Sequence, residues 1–313
     1  MLAGRDPAHT PVGVWNLLRC SRNRKRHPNT DGTGWLELET PMNPSPDVVR
    51  GGNPHYLQEA WMAAPAGLDW AWAQNTCGKL TTAQRVRLMW VMLGKLPDLV
   101  IDVVRARTGH HGPAQLELAD ARLPDTALAR RAEHEARAVL SAPMLEHAYR
   151  SYWFARVLAS VDGADYDDEL AYVSCLLHGI TLEHPSAGCC FAVTSARRAI
   201  EIALEAGETV ERTQDLAAGI AGHLSFGVSA DLSDPAGFVA AGTLLDTFGI
   251  RLSEFDPAWV RELLLLHPRS GFEQTMVTAL RAEAAAVPAG RTEWLTSWGF
   301  TLLIGASGFP SKM

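Results

Sequence analysis

The chain has 313 residues, enough for one large core or a core with a smaller accessory domain. Hydrophobic residues make up 47% and charged residues 20%, as in ordinary globular proteins, and no apolar run reaches the ~18–20 residues of a membrane span. A formal net charge of −7 argues against a nucleic-acid surface spread over the whole protein, so neither nucleic acid nor membrane is an expected partner.

Residues 1–54 carry little periodicity and many breakers, among them Pro41, Pro44, Pro46, Gly51, Gly52 and Pro54, which predicts an irregular N-terminal arm. The basic run from Arg22 to His27 lies in this arm and reads as a solvated stretch. No continuous apolar segment with a small-residue cleavage site is visible at the N-terminus, so a cytoplasmic protein is expected. From Tyr56 the chain turns helical in character, and residues 55–122 are expected to form a helical extension or lid. Trp61, Trp70, Trp72 and Trp90 concentrate there, either as a layer packed on the core or as a cover that shapes a substrate pocket. Thr81 to Gln84 offers a capping box ahead of an amphipathic segment, Arg85 to Arg107, with an interruption expected at Pro97. His110 and His111 follow in a Gly/Pro loop, where neighbouring side chains diverge, and they read as surface residues.

Residues 123–313 predict a helical domain, with helices at about 127–139, 143–160, 167–178, 188–206, 209–224, 234–248, 256–266, 270–286 and 291–304. Alternating apolar/polar runs suited to strands are almost absent, so the fold class is all-α. Cys20, Cys77, Cys175, Cys189 and Cys190 are too scattered for a disulfide framework and include no CxxC pair. The adjacent Cys189 and Cys190 read as two small buried apolar residues.

Four polar residues interrupt otherwise apolar helical stretches: His147, His178, His223 and Asp246. An ionised aspartate buried without a partner costs several kcal/mol, so Asp246 must meet a cation, a donor or a metal. Taken singly, each histidine reads as a hydrogen-bonded core residue. Together, two imidazoles and a carboxylate from three helices make a metal cup, with neutral histidines giving nitrogen ligands and Asp246 giving oxygen.

From Leu123 to Gly308 the chain resembles the HD-domain superfamily, in its cyanamide hydratase-like branch. The resemblance rests on several pieces in one order. They are Leu123–Ala129, Leu145–Ala155 around His147, Glu169–His178, Cys190–Val193, Gly242–Gly249 around Asp246, and His267–Phe272. It implies an HD-type helical bundle in which His147, His178 and Asp246 hold a divalent metal (Fe or Zn), with His223 near the site. In that family an aspartate follows the second histidine; here the position is Gly179. Glycine at a helix end adopting positive φ would be a purely local reason for it. Read as a lost ligand, Gly179 weakens the metal, disfavours a dinuclear centre and leaves a more open, more positive cup.

Three readings follow. The first is a mononuclear metal-dependent hydratase, lyase or hydrolase acting on a small organic substrate, with His223 or Glu183 moving protons. The second is an enzyme that has given up its metal and uses His147, His178 and Asp246 for acid/base chemistry. The third is a non-catalytic ligand-binding or regulatory protein.

Overall fold

The computed structural model describes residues 68–118, 122–225 and 231–309, all within the unit that spans residues 52–313. The expected arm at residues 1–54, with Cys20, and the helical start at Tyr56 with Trp61 lie outside the described residues. The described residues form twelve α-helices and no sheet, as the periodicity predicts: an all-α bundle.

The first two helices are α1 (Trp70–Thr76) and α2 (Thr82–Arg107). The capping box ahead of α2 is reciprocal: the Thr81 hydroxyl accepts from Gln84 N, and Gln84 Oε1 accepts from Thr81 N at 2.9 Å. The helix does not stop at Pro97. Proline removes one N–H donor, and on this exposed stretch the carbonyl it leaves unpaired, that of Leu93, can turn to water, so α2 runs through.

The bundle proper comprises α3 (Ala127–Val139), α4 (Ala142–Asp162), α5 (Asp168–Leu177), α6 (Phe191–Glu205), α7 (Val210–Gly222) and α8 (Pro235–Phe248). After a 3-10 turn come α9 (Pro257–Leu266), α10 (Phe272–Ala286), α11 (Arg291–Ser297) and α12 (Phe300–Ile304). Thr126, Asp167, Thr209, Asp234 and Asp256 each cap the helix that follows by accepting its free backbone N–H groups. The single helix expected over residues 291–304 is two, because Gly299 adopts φ +77° between α11 and α12.

The crossing of α4 and α8 decides where the polar residues meet. Gly242 of α8 lies so close to α4 that a Cβ there would overlap the Ser151 carbonyl oxygen, deep inside van der Waals contact. One turn from that crossing on each helix stand His147 (four before Ser151) and Asp246 (four after Gly242). The glycine therefore sets the approach that brings this pair together. Gly242→Ala is expected to destabilise the fold by about 3 kcal/mol, in the overpacking range, and to weaken the His147–Asp246 contact. A lowered urea midpoint, with the imidazole proton of His147 shifted in NMR spectra, checks this.

Candidate functional site

His147, His178, His223 and Asp246 are all buried, and the structure brings them together. His147 donates from Nδ1 to Asp246 Oδ2 at 2.6 Å, and its ring stacks on Phe272 with centroids 4.8 Å apart. His178 and His223 share one local device. Each ends its helix, closing a backbone bond on the fourth residue back and folding its Nδ1–H onto the carbonyl three residues back. For His178 that carbonyl is Cys175 O at 2.7 Å; for His223 it is Ile220 O. Carbonyls of a helix's last turn lack intrahelical partners, so each imidazole satisfies one of them while its Nε2 is left for other contacts.

The partners fix the tautomers. Carboxylates and carbonyls only accept, so all three rings carry their proton on Nδ1, and a neutral ring leaves Nε2 as a bare acceptor. His147 Nε2 and His178 Nε2 face each other at 3.3 Å. Two acceptors at that distance need a proton or a cation between them. Protonation is disfavoured throughout. Burial lowers His147 despite Asp246; burial, then His223 and His147, push His178 well below 6.5; and burial brings His223 down to about 4. The ring of His223 lies 5.1 Å from that of His178, centroid to centroid. Among the described residues, no group of three His, Cys, Asp or Glu side chains is spaced to hold a metal as it stands. The formed pair is His147–His178, with His223 on its flank.

Asp246 has both oxygens engaged. Arg150, fully buried, grips it in bidentate fashion, Nε to Oδ1 at 2.8 Å and Nη2 to Oδ2 at 2.9 Å, and gives Nη1 to Pro268 O. Arg269 Nη1 adds a bond to Oδ1 at 2.6 Å and one to the Asp246 carbonyl, with its guanidinium packed against the rings of Phe272 and Phe309. Burial would raise the carboxyl, but Arg150 and Arg269, with the His147 hydrogen bond, overcome it and hold Asp246 below the usual carboxylate range. This geometry suits orienting His147 better than ligating a metal directly. With neutral imidazoles, one carboxylate and two guanidiniums, the site carries a net positive charge.

Arg150 and Arg269 are the residues that sequence reasoning missed. The signal for Arg150 was present: an arginine three positions after His147 in an apolar helix, on nearly the same face. The Glu183 carboxylate accepts from Ser141 N at 2.9 Å through Oε2, ahead of α4, and ties down a helix start. Gly179 does not have the positive φ of a helix-ending glycine, so that local explanation fails.

A second buried polar group borders the cluster. Arg291 donates to Ala221 O at 2.6 Å and to the Ser225 hydroxyl at 3.0 Å, lies over the Trp72 ring, and adds to the depression of His223. Through it α1 lies one layer from the histidines. Trp70, by contrast, donates to Gln214, and Trp90 stays exposed. Glu283 of α10 accepts from Phe191 N at 2.7 Å through Oε1, while Oε2 has no partner, and burial pushes its pKa to about 7. Because the folded value exceeds the unfolded one, its stabilising contribution is full below about 4.5 and is lost as pH rises through about 7. Glu283→Gln is accordingly expected to be more stable than the parent at pH 8 by roughly 2–3 kcal/mol, and to lose that advantage at pH 4. Urea midpoints at the two pH values check it.

Comparison with protein-family models and with curated proteins yields no match to this chain. Among the described residues no helix is long and apolar enough to cross a membrane.

Proposed function

We propose that the chain is an HD-type enzyme with a reduced metal site, acting as a mononuclear hydratase, lyase or hydrolase on a small organic substrate. The observation that carries this reading is the facing pair of unprotonated nitrogens, His147 Nε2 and His178 Nε2 at 3.3 Å. Two nitrogens each ~2.0–2.1 Å from a tetrahedral ion lie about 3.3 Å apart, so the pair fits two ligands of one ion. His223 is the third donor in this reading. Asp246, Cys175 O and Ile220 O hold the three rings by their far nitrogens, as outer partners of metal-bound histidines do. A divalent ion, when bound, would supply Lewis acidity toward a polar substrate bond. The protein's own part is to fix the rings, exclude water by burial and present a positive environment that favours an electron-rich or anionic substrate group.

A second reading draws on the 2.6 Å Asp246–His147 bond and on the incomplete trio of donors. There, His147 is a base oriented by Asp246, and His178 Nε2 takes or returns the proton.

The experiment is elemental analysis of protein purified without chelator, paired with turnover of small nitriles, cyanamides, amides and phosphate esters before and after chelation. The metal reading expects close to one divalent ion per chain, lost in His147→Ala and His178→Ala, and activity that chelation abolishes. Metal-free protein with chelator-insensitive turnover selects the second reading. Metal-free protein that binds small ligands without turning any over overturns both.

A further inference from the structure

Away from the histidines, three cysteines converge where α1 ends and α6 begins. Cys77 follows α1 and is half-buried; Cys189 and Cys190 immediately precede α6. Cys77 is a near neighbour of Cys189 and adds to burial in raising its thiol. One guanidinium spans both: Arg197 Nη1 donates to Cys189 Sγ at 3.6 Å and Nη2 to Cys77 Sγ at 3.8 Å. Cys190 has a separate partner, Arg291, at 3.6 Å. The backbones are tied as well, since Cys190 N donates to Cys77 O at 3.0 Å. Disulfides need Cα atoms about 4.4–6.8 Å apart and side chains that face each other. The backbone bond holds the Cys77 segment against the residue next to Cys189, and Arg197 gathers the Cys77 and Cys189 sulfurs around one guanidinium. Simple burial of small apolar residues does not account for a shared arginine across two sulfurs.

We propose that Cys77 and Cys189 form a modification site for low-molecular-weight disulfides, closing to an intramolecular disulfide by thiol–disulfide exchange. Cys77 reacts first because it is the accessible thiol, whereas burial, followed by the Cys77 contact, pushes Cys189 up to about 12. The Cys77 thiol loses its proton to solvent, and its sulfur attacks one sulfur of the small disulfide. That S–S bond breaks, and the first small thiol leaves with the electron pair and takes up a proton. The Cys189 sulfur then attacks the Cys77 sulfur of the mixed disulfide. That S–S bond breaks, and the second small thiol leaves with the electron pair and takes up the proton that Cys189 gives up. The two cysteines lose two electrons and the small disulfide gains them. The link would pin the end of α1 to the start of α6, next to Phe191, whose ring lies 6.0 Å from that of His223, centroid to centroid. None of this depends on a metal or on the proposed reaction.

The test incubates native full-length protein with oxidised glutathione, counts free thiols and maps the linked peptides. The expected result is loss of two thiols per chain, a Cys77–Cys189 peptide, a raised Tm, and full reversal by dithiothreitol. Cys189→Ser should halt at a stable glutathione adduct on Cys77, and Cys77→Ser should leave Cys189 unreacted. Cys190→Ser, removing a neighbour outside the pair, should leave closure intact. An unreactive native protein, a Cys77–Cys190 link, or linkage only between chains overturns the proposal.

Discussion

Asp246→Ala is expected to lower the unfolding free energy by about 3–5 kcal/mol, the cost of stranding buried charge by removing its partner. The carboxylate is the shared counterion of two guanidiniums and the acceptor for His147 Nδ1, all within 2.6–2.9 Å. Without it, Arg150 keeps only carbonyl partners at zero exposure, and Arg269 retains a single bond to the backbone. Asp246→Asn separates charge from shape. It preserves the volume, but its amide group opposes donors on at least one side, so most of the loss should persist. Arg150→Met alone should cost less than Asp246→Ala, because Asp246 then still holds Arg269 and His147. The double variant Arg150→Met/Asp246→Leu should recover part of the loss, since an apolar pair of similar volume often equals or exceeds a buried ion pair. Urea midpoints across this cycle measure the coupling. A loss below about 1 kcal/mol for Asp246→Ala would mean that water reaches the two arginines and that the cluster is not the sealed unit described above.

The balance of what was legible follows from the range of each interaction. Helices are set by local pattern: the predicted 127–139 coincides with α3, and the Thr81–Gln84 box closes as its spacing requires. The burial of an ionised Asp246 was enough to demand a partner, because desolvation is a property of the residue and its apolar neighbours. Which partner was another matter. Arg150 and Asp246 stand 96 residues apart, and their meeting depends on the Gly242–Ser151 crossing, a close approach that no local period encodes. The same range hid the contact of Glu183 with the backbone N–H of Ser141, 42 residues away, ahead of α4. Proline and glycine also behaved by context. Pro97 sits inside a helix open to water, while Gly299 splits one expected helix into two.

Gly179→Asp is expected to raise metal affinity by about 100-fold or more, if the imidazoles are the metal donors proposed. Nothing in the local backbone requires glycine there. Its φ is not positive, and a Cβ at this position would meet only the flexible end of Met144, with Cε at 3.9 Å. The Cβ itself is therefore accommodated, but the position is buried, so the metal-free variant should be less stable than the parent by several kcal/mol. It should regain stability when an ion pairs the carboxylate, which a urea midpoint with and without metal reads. The electrostatics point the same way. Arg150 and Arg269 outnumber Asp246 by one positive charge, and a divalent ion adds two more, so a carboxylate beside His178 would offset part of that excess. Competition titration of Zn(II) or Fe(II) against a chromophoric chelator reads the affinity, and His178→Ala in the Gly179→Asp background should abolish the gain. If the variant folds normally and binds metal no more tightly than the parent, the three Nε2 atoms do not form a cup. The 3.3 Å contact between His147 and His178 would then belong to a proton-sharing pair, and the chemistry to the Asp246–His147 couple.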